Sequence, residues 1–116
     1  MDMTVAICTR NRAGSLDRAL ASVARMAVPG GVAWELIVVD NNSSDATAKI
    51  IEKYRGALPI RGEFEARPGL SNARNRAVKG AKGAYILWTD DDVVVDSGWL
   101  SAYGDAFLRW PQAVVF

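Results

Sequence analysis

Three consecutive carboxylates, Asp90, Asp91 and Asp92, are the residues of this chain best suited to chemistry. Like charges so close repel one another, and beside apolar chain the cluster is costly unless a cation or hydrogen-bond donors neutralise it. A hard divalent cation, Mn2+ or Mg2+, would take carboxylate oxygens and share them with substrate phosphates. A solvated acidic turn is the plainer reading of any three aspartates. Position favours chemistry here: Ala84 to Thr89 reads as a buried strand delivering the cluster to its C-terminal end, where open α/β sheets bind ligands. A second apolar run, Val93 to Val95, follows at once and is expected to be buried.

Other strand ends carry matching groups. Thr9, Arg10 and Asn11 follow the first apolar run, and Asp40, Asn41 and Asn42 follow the second. The segment RPGLSNARNR brings Arg67, Arg74 and Asn75 to the start of a helix. Carboxylates, side-chain donors and arginines together suit a ligand with a base, a ribose and a diphosphate. Asp40 could accept from a base N–H or a ribose hydroxyl. Singly, each signal is weak, because Asn41 and Asn42 suit ordinary turns and Arg74 and Arg76 suit a solvated helix face. The chain has no histidine, so any base or metal ligand within it must be another group, Asp or Glu first.

These groups need a frame, and hydrophobic periodicity supplies one. Met3 to Cys8 and Glu35 to Val39 read as strands, the second a continuous apolar run typical of a parallel strand buried on both faces. Leu16 to Ala27 reads as a helix capped by Ser15, burying Leu16, Ala19, Leu20, Val23 and Ala27. A second helix runs from about Asp45 to Arg55, apolar at Ala46, Ile50, Ile51 and Tyr54, with Gly56 as its stop. Ile60 to Glu65 is a weak third strand. Asn72 to Ala81, capped by Ser71, is a third helix burying Ala73, Ala77, Val78 and Ala81. Gly83 returns the chain to a central strand, and a fourth helix spans about Trp99 to Arg109. Trp88, Trp99 and Trp110 are expected in the core or at a domain junction, with Trp99 a minor candidate for facing an acceptor. This βαβαβαβ order implies a mostly parallel sheet with helices on both faces and right-handed connections. Ala113 to Phe116 reads as the start of a further strand, so the sequence is expected to be the N-terminal, C-terminally truncated portion of something larger.

Composition narrows the class. At 116 residues the chain is one domain at most. Half of it is hydrophobic and 23% charged, which argues against disorder. A formal net charge of +1 gives no bulk electrostatic case for nucleic acid. A single cysteine, Cys8, cannot form an internal disulfide and suits a reducing compartment. The N-terminus does not read as a signal peptide, and no run approaches the roughly 18 apolar residues of a membrane span. The expected location is therefore the cytoplasm, or the cytoplasmic face of a membrane.

TVAICTRNR, ELIVVDNNSSDAT, RPGLSNARNRAVKGAKGAYILWTDDD and DSGWL, in that order and over nearly the whole chain, resemble the inverting family 2 glycosyltransferases of GT-A fold. The resemblance implies the nucleotide-sugar-binding part of such an enzyme, Rossmann-like in architecture and spanning residues 1–116. It implies that Thr9 to Asn11 and Asp40 hold the nucleoside, and that Gly69 to Asn75 forms a wall of the donor site. It makes Asp90 to Asp92 the DXD motif, with Asp90 and Asp92 at the metal and Asp90 and Asp91 at the donor. Asn42, Arg67, Arg74 and Asn75 complete the expected donor contacts. The implied donor is a nucleotide-diphospho-sugar, UDP-linked first and dTDP- or GDP-linked otherwise. The implied acceptor is a glycan or lipid-linked hydroxyl in cell-envelope or extracellular polysaccharide assembly. Members of the family carry their catalytic carboxylate downstream of the strand in which this sequence stops, so no catalytic base is assigned. The chain alone is expected to bind nucleotide diphosphate and turn donor over poorly.

Other classes fit less well. A nicotinamide-binding Rossmann domain needs GxGxxG after the first strand, where CTRNRAG stands, and the P-loop signature is absent. A phosphoaspartyl-type, Mg2+-dependent α/β domain is the best rival on chemistry, yet it wants aspartates where Thr9 and Arg10 lie. A non-catalytic nucleotide-binding or scaffold module also remains, with an unpaired sheet edge that would invite self-association.

Overall fold

Strands and helices alternate strictly in the computed structural model, which describes residues 2–112. They are β1 (Met3–Thr9), α1 (Ala13–Ala24), β2 (Trp34–Asp40), α2 (Thr47–Lys53), β3 (Ile60–Phe64), α3 (Leu70–Gly80), β4 (Tyr85–Trp88) and α4 (Trp99–Arg109). All the strand pairs are parallel, in the order β3-β2-β1-β4. The expected α/β architecture is therefore present, including the weak third strand. The expected strand at 113–116 lies outside the described residues.

Strand alternation divides the core between two faces. Val5, Ile7, Leu36, Val38 and Leu87 point to the face covered by Leu16, Leu20 and Val23 of α1, Ile51 of α2 and Leu100 of α4. Ala6, Ile37 and Val39 point to the other, where Ala73 and Ala77 of α3 pack. The small side chains of Ala73 and Ala77 let α3 lie close to the sheet there.

Several boundaries and burials differ from the sequence reading. Ser15 does not cap α1, which begins at Ala13 with Arg12 at the N-cap and no cap bond from that side chain. The Ala13 N–H instead donates to Asp45 Oδ2 at 3.1 Å, a carboxylate from the loop after β2. A cap is worth about 1 kcal/mol, less than the roughly 1.5–3 kcal/mol from burying one Leu. The fully buried Leu16 and Leu20 therefore settle the helix, and Asp45 refines its start. The same helix ends at Ala24, so Met26 is buried and Ala27 exposed. On α2, which is shorter than expected, Ala46 is exposed. On α3, Gly69 rather than Ser71 is the N-cap, and Val78 is 53% exposed because Ala73 and Ala77 already fill the contact with the sheet.

Among the described residues, the strand before the aspartates is neither central nor wholly buried. Among the described residues β4 is at the sheet edge, so Tyr85 and Ile86 are half-buried and Trp88 is exposed. Trp110 is exposed as well, while Trp99 packs edge-on against Tyr103. Val95 is the one member of the Val93–Val95 run that enters the core; Val93 and Val94 face outward. The Val95 N–H donates to Ser22 Oγ at 3.0 Å, tying the segment after the aspartates to α1.

A buried carboxylate fixes the entry to β4. Glu35 Oε2 accepts from Thr4 Oγ1 and from the Lys82 N–H, each at 2.7 Å, and Arg61 Nη1 lies 3.4 Å from Oε1. Thr4 Oγ1 in turn accepts from the Gly83 N–H at 2.9 Å. Burial alone would push the Glu35 carboxyl up, but the Lys82 N–H, the Thr4 hydroxyl and the Arg61 charge outweigh it and hold it below the ordinary glutamate value. Gly83 passes so close to β1 that a Cβ would stand 2.5 Å from Thr4 N and 2.6 Å from the Met3 carbonyl carbon.

Gly83→Ala is expected to cost about 1–3 kcal/mol, because the obstructing atoms are backbone and cannot rotate away; an unchanged melting temperature would contradict this. A carboxyl depressed in the folded state stabilises fully above its unfolded pKa of about 4.3 and loses that contribution as pH falls through its folded value. Glu35→Gln should therefore destabilise the protein at pH 7 and flatten the acid limb of its stability profile. Urea denaturation at pH 7 and pH 3 checks this, and an equal loss at both would count against it.

Candidate functional site

The chain reverses its direction of travel across the sheet between β1 and β4, and a cleft opens there at the C-terminal ends of the strands. Its volume is about 430 Å³, and it is lined by Cys8, Thr9, Arg10, Arg12, Asn41, Gly69, Leu70, Ala73 and Asp90 to Asp92. A switch point of this kind is where open α/β sheets hold ligands.

Register sets the cleft's floor. Thr9 pairs with Asp40, so the loops after β1 and β2 leave at the same level. They are then stapled together: Asn11 Oδ1 accepts from the Ser44 N–H at 2.7 Å, and the Asn11 N–H donates to Ser43 Oγ at 2.9 Å. Asn11 and Asn42 both have positive φ, 52° and 58°, a conformation asparagine tolerates better than most residues. Buried Asp40 accepts from the Ser43 N–H at 2.9 Å, which fixes its carboxylate beneath the stapled loops.

Asn41 holds the third wall. Its Nδ2 donates to the carbonyls of Glu65 at 3.1 Å and Arg67 at 2.8 Å, and its Oδ1 accepts from the Gly69 N–H at 3.0 Å. One buried amide thus fixes the strap leading into α3. Glu65 braces the strap through the Arg67 N–H at 3.0 Å and the Arg67 guanidinium, which hold its carboxyl below the usual range.

The three aspartates divide their work. Asp91 is buried: Oδ2 accepts from Thr9 Oγ1 at 2.9 Å and Oδ1 from Arg12 Nη1 at 3.4 Å. Arg12 Nη1 also lies 3.8 Å from Asp92 Oδ2. Asp90 and Asp92 are exposed and open to the cleft. Cys8 is half-buried; burial pushes its thiol pKa up, Arg74 opposes this, and Asp91 and Asp90 add to it.

Of the residues singled out in the sequence, Thr9, Arg10, Asp90, Asp91 and Asp92 line the cleft together. Asp40, Asn11 and Asn42 shape the loops at its edge. Arg67 is engaged with Glu65, and Arg74 and Asn75 lie on the exposed side of α3, with Arg74 near enough to act on Cys8. Arg12 and Asn41 carry more of the geometry than the sequence suggested. Asn41 finds its partners 24 to 28 residues away, so no local pattern marks it. Arg12 is separated from Asp91 by 79 positions, and the alternation in TRNR offers two arginines without choosing between them.

Comparison with known proteins places this α/β sheet, with its acidic strand end facing two stapled polar loops, among the GT-A glycosyltransferases in fold. Residues 4–116 match the family model described as Glycosyl transferase family 2, and the chain belongs to that family. It is 34% identical over 94 residues to the poly(ribitol-phosphate) beta-N-acetylglucosaminyltransferase TarS of Staphylococcus aureus, covering 79% of this chain and 16% of that protein. It is 30% identical over 114 residues to the poly(ribitol-phosphate) beta-glucosyltransferase of Bacillus spizizenii, covering 95% of this chain and 17% of the relative. The crystal structure of S. aureus TarS 1–349 in complex with UDP-GlcNAc superposes with a TM-score of 0.84 at 29% identity, over 94% of this chain and 32% of the other. A mannosyltransferase from Pyrobaculum calidifontis, solved with GDP-Man and Mn2+, shares the fold with a TM-score of 0.79 at 24% identity, over 97% of this chain and 32% of that one. The chain thus spans about a sixth of the length of these curated relatives. No helix among the described residues is long and apolar enough to cross a membrane.

Asn41→Asp retains an acceptor for the Gly69 N–H but loses both donors and places a charge in a buried position beside Asp40. It is expected to cost about 1–3 kcal/mol and to raise hydrogen exchange across residues 65–70 more than in β1. Uniform exchange changes, or none, would argue against the strap being held by this amide.

Proposed function

We propose that residues 1–116 form the donor-binding part of a GT-A glycosyltransferase that passes a sugar from a nucleotide diphosphate to an acceptor hydroxyl. The observation that carries this reading is the cleft itself: in a family 2 chain, Thr9, Arg10, Arg12, Asn41 and Asp90 to Asp92 converge at the switch point. Asp40 and the loop of Thr9 to Asn11 serve the nucleoside, and Asp90 the ribose. The strap from Arg67 to Gly69 and the first turns of α3, with Arg74 and Asn75, wall the donor.

A divalent cation fits the carboxylates left open. Among the described residues no group of three or more His, Cys, Asp or Glu side chains is arranged to hold a metal ion. Asp90 and Asp92 instead suit Mn2+ or Mg2+ that keeps most of its shell as water and donor phosphate oxygens. Bound there, the cation would neutralise charge on the leaving diphosphate. Asp91 does not compete for it, being buried and bonded to Thr9. The protein's part is to orient the donor so that an acceptor hydroxyl, deprotonated by a carboxylate outside these residues, displaces the diphosphate from the anomeric carbon. UDP is the first nucleotide to test, since the TarS structures contain UDP and UDP-GlcNAc. The names of the relatives point to a cell-envelope polymer as the acceptor class.

Calorimetric titration with UDP, dTDP and GDP, each with and without Mn2+, tests the reading. One nucleotide should bind in a metal-dependent manner, and Asp90→Ala with Asp92→Ala should weaken it at least tenfold while leaving the fold intact. Binding by none of the three to folded protein would leave a scaffold role as the better reading.

A further inference from the structure

Arg12 lines the cleft, yet the donor-binding reading gives its side chain no role of its own. Its backbone is fixed at the start of α1: its carbonyl accepts from the Leu16 N–H at 2.9 Å, and the next N–H is held by Asp45. Its side chain is not fixed in the same way. The side chain is 57% exposed, and its Nη1 reaches across to the aspartate loop, 3.4 Å from Asp91 Oδ1 and 3.8 Å from Asp92 Oδ2. The pair with Asp92, exposed on both sides, is weak and easily exchanged for another partner; the bond to Asp91 is half-buried. Asp91 does not depend on it for position, because Thr9 holds the other oxygen at 2.9 Å. Arg12 thus places a long cation on a rigid base, beside one of the two carboxylates that would serve a metal.

We propose that Arg12 is a movable counter-cation of the aspartate loop, paired with Asp91 and Asp92 when no donor is bound and turned to the donor's diphosphate when one is. The inference rests on the donor-binding reading and goes beyond it by assigning a positioning role to a residue outside the aspartate motif. Without a donor, the guanidinium lowers the negative potential at Asp92 and so weakens the hold of the loop on a free divalent cation. With a donor, phosphate oxygens offer the guanidinium a bidentate partner. It then leaves Asp92 to the metal and adds its own charge to the diphosphate. The loop is thereby biased to take up metal together with nucleotide rather than metal alone.

This makes two effects of opposite sign. Arg12→Met keeps the length and apolar stem of the side chain and removes its charge. Manganese alone, followed by the electron paramagnetic resonance of the free ion, should bind Arg12→Met about two- to fivefold more tightly than the unaltered protein. UDP titrated calorimetrically at saturating Mn2+ should bind the variant several-fold more weakly. Arg12→Lys, which keeps the charge but not the fork, should restore the metal affinity of the unaltered protein and only part of the nucleotide affinity. Circular dichroism and a melting curve establish that both variants are folded. A merely structural role would move both affinities the same way, and that result, or no gain in Mn2+ affinity, overturns the proposal while the donor-binding reading stands. Failure of the unaltered protein to bind UDP would remove the reading and the proposal together.

Discussion

The parallel pairing of β1 with β2 is the constraint on which the rest depends. Seven consecutive residue pairs bring both strands to the same level, Thr9 opposite Asp40, so the two loops that follow must emerge side by side. Their side chains then bond to one another, and α1 takes its N-terminal cap from the second loop. Asn41, next in the chain after Asp40, reaches the opposite way and fixes the approach to α3. A slip of one residue would send the side chains of each face to the other, setting Leu36 or Ile7 against the alanines of α3.

Most of the frame was legible because its signals are local. ELIVV could be little other than a strand buried on both faces, and the Leu16, Leu20 and Val23 stripe marks α1 without help from tertiary contacts. The aspartate cluster was legible through its place after an apolar strand. What escaped were features set by partners distant in sequence. Ser15 looks like a cap in its own neighbourhood, yet Asp45 performs the task from 32 positions further along the chain. Val78 falls on the helical spacing of a buried face, but a contact made by alanines has no room for it. Val93 and Val94 are apolar and still exposed, for the aspartate loop turns before the chain regains the core at Val95.

Within the cleft, residue types were easier to read than roles. Three aspartates in a row invite a single description, whereas the fold gives the middle one a buried structural bond and leaves the outer two open. Arg67 and Arg74 both looked like anion binders; Glu65 engages the first, and the second acts on Cys8 from the side of α3. Such division follows from strand register and helix approach, quantities that appear only when the sheet is assembled.

The bonds that staple the loops after β1 and β2, Asn11 to Ser43 and Ser44, are exposed, whereas the strands beneath them are almost wholly buried. Local opening needs only the weaker set to break, so the rim can loosen without the sheet unfolding. On the proposed reading of the cleft, ligand recognition is therefore expected to fail at a lower temperature than folding. Nucleotide affinity would then fall on warming while spectroscopy still finds the sheet and helices native.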